Sequence, residues 1–202
     1  MLQYPSINGW RRAPHDERCI AFKKYDGSNL RWEWNPKKGW VKYGTRRHLF
    51  DENSPLYNQA VPIFKEFMAE AISDTILHHF GKKTERITAF TEFYGESSFA
   101  GAHDEAEPKK LVLFDVAVYK KGIIPAPQFV KMFDRHDWCA EVVYEGQMDI
   151  QFVNDVRHGA YPVYEGVVCK GDDWMAKIKT FEYINELKRR YGNEWTKHAD
   201  DQ

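Results

Sequence analysis

The 202 residues predict an α+β protein with mostly antiparallel sheets and flanking helices. Two patterns carry this. Short runs rich in Val, Ile and aromatic residues alternate with period two between Gly, Asn, Asp and Pro turns, and one long segment between them has helical period. No repeat, low-complexity tract or Gly/Ser/Pro-rich linker divides the chain, which points to a single domain over 1–202, with a C-terminal helix and tail from about 181 to 202.

In chain order, 18–24 reads as a strand, Asp26-Gly27 as a turn and 29–34 as a second strand. Residues 35–39, Asn-Pro-Lys-Lys-Gly, turn the chain into a strand at 40–43, so the three strands read as an antiparallel meander. Over 62–80 the period changes. Ile63, Phe64, Phe67, Met68, Ala71, Ile72 and Ile76 recur at helical spacing opposite Lys65, Glu66, Glu70 and Asp74, the pattern of one amphipathic helix. Strands resume at 86–93 and 111–118, and short helices fit 128–138 and 149–157. Strands at 163–170 and 174–179 precede a last helix at 181–191.

Composition narrows the function. The formal net charge is −1, so bulk charge does not hold this chain to nucleic acid, and any polyanion site must gather its cations locally. Cys19, Cys139 and Cys169 are odd in number, form no CxxC pair and have no histidine at zinc spacing, as expected of reduced cysteines in a cytoplasmic protein. The first 25 residues carry no apolar signal region, and no run approaches the roughly 20 apolar residues of a membrane span.

The sharpest local signal is Lys24-Tyr25-Asp26-Gly27-Ser28-Asn29. A lysine leaving a strand beside a tight turn has a defined position. Part-buried among other cations, its amine would be neutral more often and nucleophilic. A solvated lysine before a hairpin turn is the plainer reading of these six residues alone. Further along stand Tyr94-Gly95-Glu96 after a strand, Phe114-Asp115 inside an apolar strand and Glu165-Gly166-Val167-Val168-Cys169-Lys170. Last comes Lys177-Ile178-Lys179, whose two lysines share one face of a strand.

In this order and at these separations, the five segments resemble the motifs of the covalent nucleotidyltransferase superfamily of DNA ligases, RNA ligases and capping enzymes. The resemblance implies that Lys24 attacks ATP to form lysyl-AMP and that Asp26 helps hold a divalent metal, Mg²⁺ or Mn²⁺, near it. It implies that Arg46 contacts phosphate or the nucleic-acid end, with Arg47 a competitor for that role. Glu96 would bind the ribose hydroxyls; Glu92 competes, and the glycine before Glu96 favours the latter. Phe114 would stack on adenine, Glu165 would hold metal, and Lys177 and Lys179 would grip the α-phosphate. Lys23 is a second contender for nucleophile, on the opposite face of its strand.

Asn29 stands where DNA ligases and capping enzymes commonly carry arginine, so the segment looks more like RNA ligase 2-like enzymes that seal nicked or broken RNA. ATP is the implied donor and RNA ends or nicks the implied partner, with a DNA-nick ligase or an inactive end-binding module as alternatives. Only 23 residues follow Lys179, so the expected chain is an adenylyltransferase core without an OB domain, acting as a monomer.

Overall fold

The computed structural model describes residues 1–199. Its strands are β1 (Asn8–Gly9), β2 (Arg18–Lys24), β3 (Ser28–Asn35), β4 (Gly39–Thr45), β5 (Leu49–Phe50), β6 (Ile87–Tyr94), β7 (Lys110–Val118), β8 (Gly122–Ile123), β9 (Val142–Gln147), β10 (Gly166–Lys170) and β11 (Met175–Lys179). The α-helices are α1 (Ala60–Phe67), α2 (Ala69–Phe80), α3 (Ala126–Phe133), α4 (Ile150–Arg157), α5 (Phe181–Tyr191) and α6 (Trp195–His198). The α+β class expected from the sequence is the one observed. The tail expected to run to 202 is described through residue 199, and its last three residues lie outside the described part. No described helix is long and apolar enough to cross a membrane.

The chain divides into two compact units. One comprises 1–4 and 27–140, the other 5–26 and the chain from 141 onward. The crossings at 4–5, 26–27 and 140–141 occur without any linker-like stretch.

The first unit is built on an antiparallel sheet in the order β5-β4-β3-β6-β7-β8. Its core is aromatic. Trp32 stacks on Phe64 with ring centroids 4.0 Å apart and planes 2° apart, and its indole N–H donates to Thr91 at 2.9 Å. Such a pair contributes about 0.5–1.5 kcal/mol beyond its buried area. The single helix expected at 62–80 is instead two, α1 and α2, broken at Met68 (φ −121°). Hydrogen bonds from Met68 to Phe64 and from Ile72 to Met68 carry across the break, so Phe64, Met68, Ile72 and Ile76 all stay buried. Phe67, expected on the apolar face, is exposed.

The second unit is a sheet in the order β1-β11-β10-β2-β9, antiparallel except for the β1–β11 pair. Alternation gives it two unlike faces. Cys19, Ala21, Val167, Cys169, Ala176 and Ile178 face α4 and pack with Phe152, Val153 and Val156. Asp149 caps α4 by accepting from the Phe152 amide at 2.7 Å, a contribution of about 1 kcal/mol.

The expected meander of 18–24, 29–34 and 40–43 is corrected here. β3 and β4 pair, but β2 joins the other sheet, between β9 and β10. Asp26-Gly27 is therefore not a hairpin turn, and Gly27 is not among the glycines with positive φ. It is needed for a different reason: a Cβ at Gly27 would run into the Phe93 carbonyl of β6.

Candidate active site

Three adjacent strands of the second unit bring the expected lysines together. Gly166 on β10 lies opposite Lys24 on β2 and, on its other side, opposite Lys179 on β11. Two residues along, Val168 lies opposite Phe22 and Lys177. Period two then puts Lys24, Lys170, Lys177 and Lys179 on one face, away from the packed apolar core. No larger residue could replace Gly166, because its φ is +142° and a Cβ would collide with the Ile178 carbonyl.

Glu165, just before that glycine, is the centre of the group. Its Oε1 accepts from Lys24 Nζ at 2.8 Å and from Lys179 Nζ at 2.9 Å. Its side chain is 3% exposed, against 19% for Lys24, so the carboxylate is dry and the nucleophile candidate half-open. Burial alone would push this carboxyl up. The charges and hydrogen bonds of Lys24 and Lys179 outweigh burial and hold it below the usual carboxylate range. Glu165 Oε2 is buried with no hydrogen-bond partner among the described residues.

That orphaned oxygen bears on the divalent cation. A buried carboxylate oxygen without a donor fits a cation ligand. No described cluster of three or more acidic, histidine or cysteine side chains could cage a metal by itself. One or two carboxylates, with water and substrate phosphate completing the shell, fit a divalent ion at this position.

Lys23, the competing lysine, is on the other side of β2. Its Nζ lies 3.8 Å from Glu141 and 5.6 Å from the centre of the Tyr25 ring. Asp26 is hydrogen-bonded to Tyr183 of α5, a partner that no sequence pattern indicates. Burial, then the charges of Glu165 and Asp26, push the Tyr183 phenol far above its ordinary range, so it stays a donor. Lys179 Nζ sits 4.7 Å over the same ring. Tyr183 is set in place by Thr180, which caps α5 by accepting from the Tyr183 amide and donates to the Tyr164 carbonyl at 2.6 Å. Lys170, to which the resemblance gives no role, ends its strand with Nζ 4.5 Å over Phe22 on the lysine face.

The other expected residues belong to the first unit. Phe114 is the extra residue of a bulge, because Phe90 pairs with Asp115 and Thr91 with Leu113. Bulges re-aim side chains. Phe114 is half-buried with its ring edge-on to Tyr4 at 5.0 Å, while the Tyr4 hydroxyl donates to buried Asp115. Arg46 is exposed in the turn between β4 and β5. Glu96 is exposed in the turn after β6. A Cβ at Gly95, just before it, would meet the Glu107 carboxylate, the movable end of a flexible side chain. Glu92 lies within β6, half-buried, two residues from Phe90, and its charge helps raise the Tyr4 phenol after burial and Asp115.

Among solved structures the fold is similar to an RNA ligase from Naegleria gruberi solved with pyrophosphate, with TM-score 0.66 and 14% identity over 94% of this chain and 59% of that one. Variants of that enzyme solved with ATP and Mn (TM-score 0.68, 12% identity, 93% and 58%) and with AMP and Mn (0.64, 11%, 92% and 58%) are alike. No family model and no curated protein sequence matches the chain. The chain spans less than three-fifths of these neighbours' length. At such identity the likeness establishes the fold alone, an α+β fold shared with that RNA ligase.

Proposed function

We propose that the chain is the adenylyltransferase core of an ATP-dependent RNA ligase. The observation that carries this is the Glu165 carboxylate between Lys24 and Lys179, with its second oxygen left over. The neighbours' complexes with ATP, AMP, pyrophosphate and Mn support the same reading.

In the proposed reaction Lys24 Nζ, deprotonated, attacks the α-phosphorus of ATP. A P–N bond forms, the bond between that phosphorus and its bridging oxygen breaks, and pyrophosphate leaves. A 5′-phosphate oxygen then attacks the same phosphorus, breaking the P–N bond and restoring the Lys24 amine. Attack by a 3′-hydroxyl on the activated 5′-phosphate finally releases AMP. Lys177 and Lys179 neutralise charge on the α-phosphoryl oxygens, and Tyr183 holds Asp26 in position. A divalent ion bound by Glu165 and Asp26 would supply further charge neutralisation at the phosphates. Lys24 meets Glu165 as an ion pair, so a cation taking over Glu165 would also leave the amine freer to lose its proton.

For the ribose hydroxyls two carboxylates compete, and position favours Glu92. It shares with Phe114 the surroundings of Tyr4, whereas Glu96 lies in the exposed turn beyond the strand. Phe114 is the proposed adenine platform and Arg46 the proposed contact to phosphate or the nucleic-acid end. RNA is favoured over DNA by Asn29, and nicked duplexes with ribose or deoxyribose at the 3′-hydroxyl side separate the two. The first test is incubation with α-labelled ATP and Mg²⁺ or Mn²⁺. Label that survives denaturation is expected, and a protein that binds ATP without retaining label would contradict the reading.

A further inference from the structure

We propose that Trp10, Arg11, Arg12, Arg157 and Phe181 form a surface that docks the phosphate backbone of a single-stranded RNA segment. The proposal deepens the ligase reading and rests on it for the identity of the polyanion.

The surface lies on the second unit. β1 runs parallel to β11 with Gly9 opposite Lys177, and the 3-10 turn Trp10–Arg12 follows at once. The turn therefore begins at the sheet edge beside the strand that carries Lys177 and Lys179. Arg157 ends α4, and Phe181 opens α5 two residues after Lys179. The Arg157 guanidinium sits 4.3 Å from the centre of the Phe181 ring and 5.6 Å from that of Trp10. Arg11 approaches the same Trp10 ring at 5.2 Å.

Two guanidiniums on one indole repel each other, and a partly desolvated cation is normally matched by a carboxylate. Here none is. Among the described residues Arg11, Arg12 and Arg157 make no ion pair, and burial followed by the charge of Arg11 lowers the Arg157 pKa. The C-terminal dipole of α4 accounts for one cation, Arg157, but Arg11 and Arg12 are not on that helix. An anion is the missing partner. Planar guanidiniums held on aromatic faces are pre-ordered to fork onto phosphate oxygens. Phe181 is exposed and Trp10 half-buried, so both rings reach the surface beside the guanidiniums they carry. Cations interleaved with aromatic rings fit a single strand, whose phosphates and bases alternate, better than an acidic peptide.

The test uses the full chain and a short fluorescent oligouridylate, with anisotropy read across a salt series. Arg11→Glu, at an exposed position, is expected to weaken binding about tenfold and to flatten the log–log salt slope by roughly 0.7 for each phosphate it no longer neutralises. Arg157→Ala is expected to act in the same direction. Unchanged affinity and slope in Arg11→Glu, with an unchanged thermal melt, would overturn the proposal even if Arg157→Ala fails to fold. So would equal displacement of the oligouridylate by polyglutamate, which would make the surface an acidic-protein site. Covalent labelling of the wild-type chain keeps the two readings apart. Normal labelling with insensitive RNA binding removes the surface alone. No labelling, with RNA binding still lost in Arg11→Glu, removes the ligase reading alone.

Discussion

The two units hold their candidate residues by different means. In the second, Lys24, Glu165, Lys177 and Lys179 are fixed by the register of three neighbouring strands, and Gly166 lets two lysines close on one carboxylate. In the first, Phe114 depends on a bulge and Arg46 and Glu96 sit in turns, and Glu92 alone is held in a ladder. Ladder positions leave a side chain few alternatives. Turns and bulges are set by packing from elsewhere, such as Tyr4 against Asp115. Substitutions in the second unit should therefore strike the chemical step, and those in the first should strike nucleotide affinity.

The largest effect expected, after loss of the nucleophile, is at Glu165. Glu165→Ala should slow adenylylation on the order of 10²–10³-fold, the usual cost of one positioned charge. It also leaves Lys24 and Lys179 close together without their counter-charge, so Glu165→Gln, which keeps the shape, should be measured beside it. A normal single-turnover labelling rate in both would break the comparison at its centre.

Tyr183→Phe removes only the hydroxyl that holds Asp26. A hydrogen bond to a charged group contributes about 1.5–3 kcal/mol, so a tenfold or greater fall in labelling rate is expected, with the melt little changed. Positioning of Asp26 further predicts that raised metal concentration recovers part of the rate. No metal dependence would reduce Tyr183 to a packing residue.

In the first unit, Glu92→Ala should raise the apparent KM for ATP about tenfold with a smaller effect on kcat, and Glu96→Ala should stay within about twofold. The reverse order would return the ribose role to Glu96.

The smallest effect is on stability. The folded Glu165 carboxyl is depressed, so its contribution is present above its unfolded pKa of about 4.3 and is lost as pH falls through the lower folded value. Acid titration of the melting temperature should show a shallower decline below roughly pH 4 in Glu165→Gln than in wild type. Parallel curves would mean that the ion pairs add nothing measurable.

How far the sequence can be read follows the same division. The strands 18–24 and 174–179 and the helix 181–191 show clear periods, and period two alone puts Lys177 and Lys179 on one face. The strand Val142–Gln147 has no such signal between less regular segments, and β2 reads as a neighbour of β3 and β4 because Asp-Gly resembles a hairpin turn. Only tertiary packing shows that Gly27 serves a close approach to β6. Tyr183 lies in a helix whose period is plain, yet nothing local indicates that its hydroxyl reaches Asp26. Sequence ranks Glu96 above Glu92 only through the glycine before it, and in the fold that glycine also lies against the Glu107 carboxylate.

The most direct test is the position of the covalent label. Lys23 and Lys24 are neighbours with opposite surroundings, one beside Glu141 and the other on Glu165. Wild type and Lys23→Ala should both retain α-label from ATP through denaturation, and the labelled peptide should map to Lys24. Lys24→Ala and Lys24→Arg should retain none, because arginine keeps the charge but has no neutral amine to attack with. Full labelling in Lys24→Ala, or equal loss in Lys23→Ala, would contradict the assignment of the nucleophile.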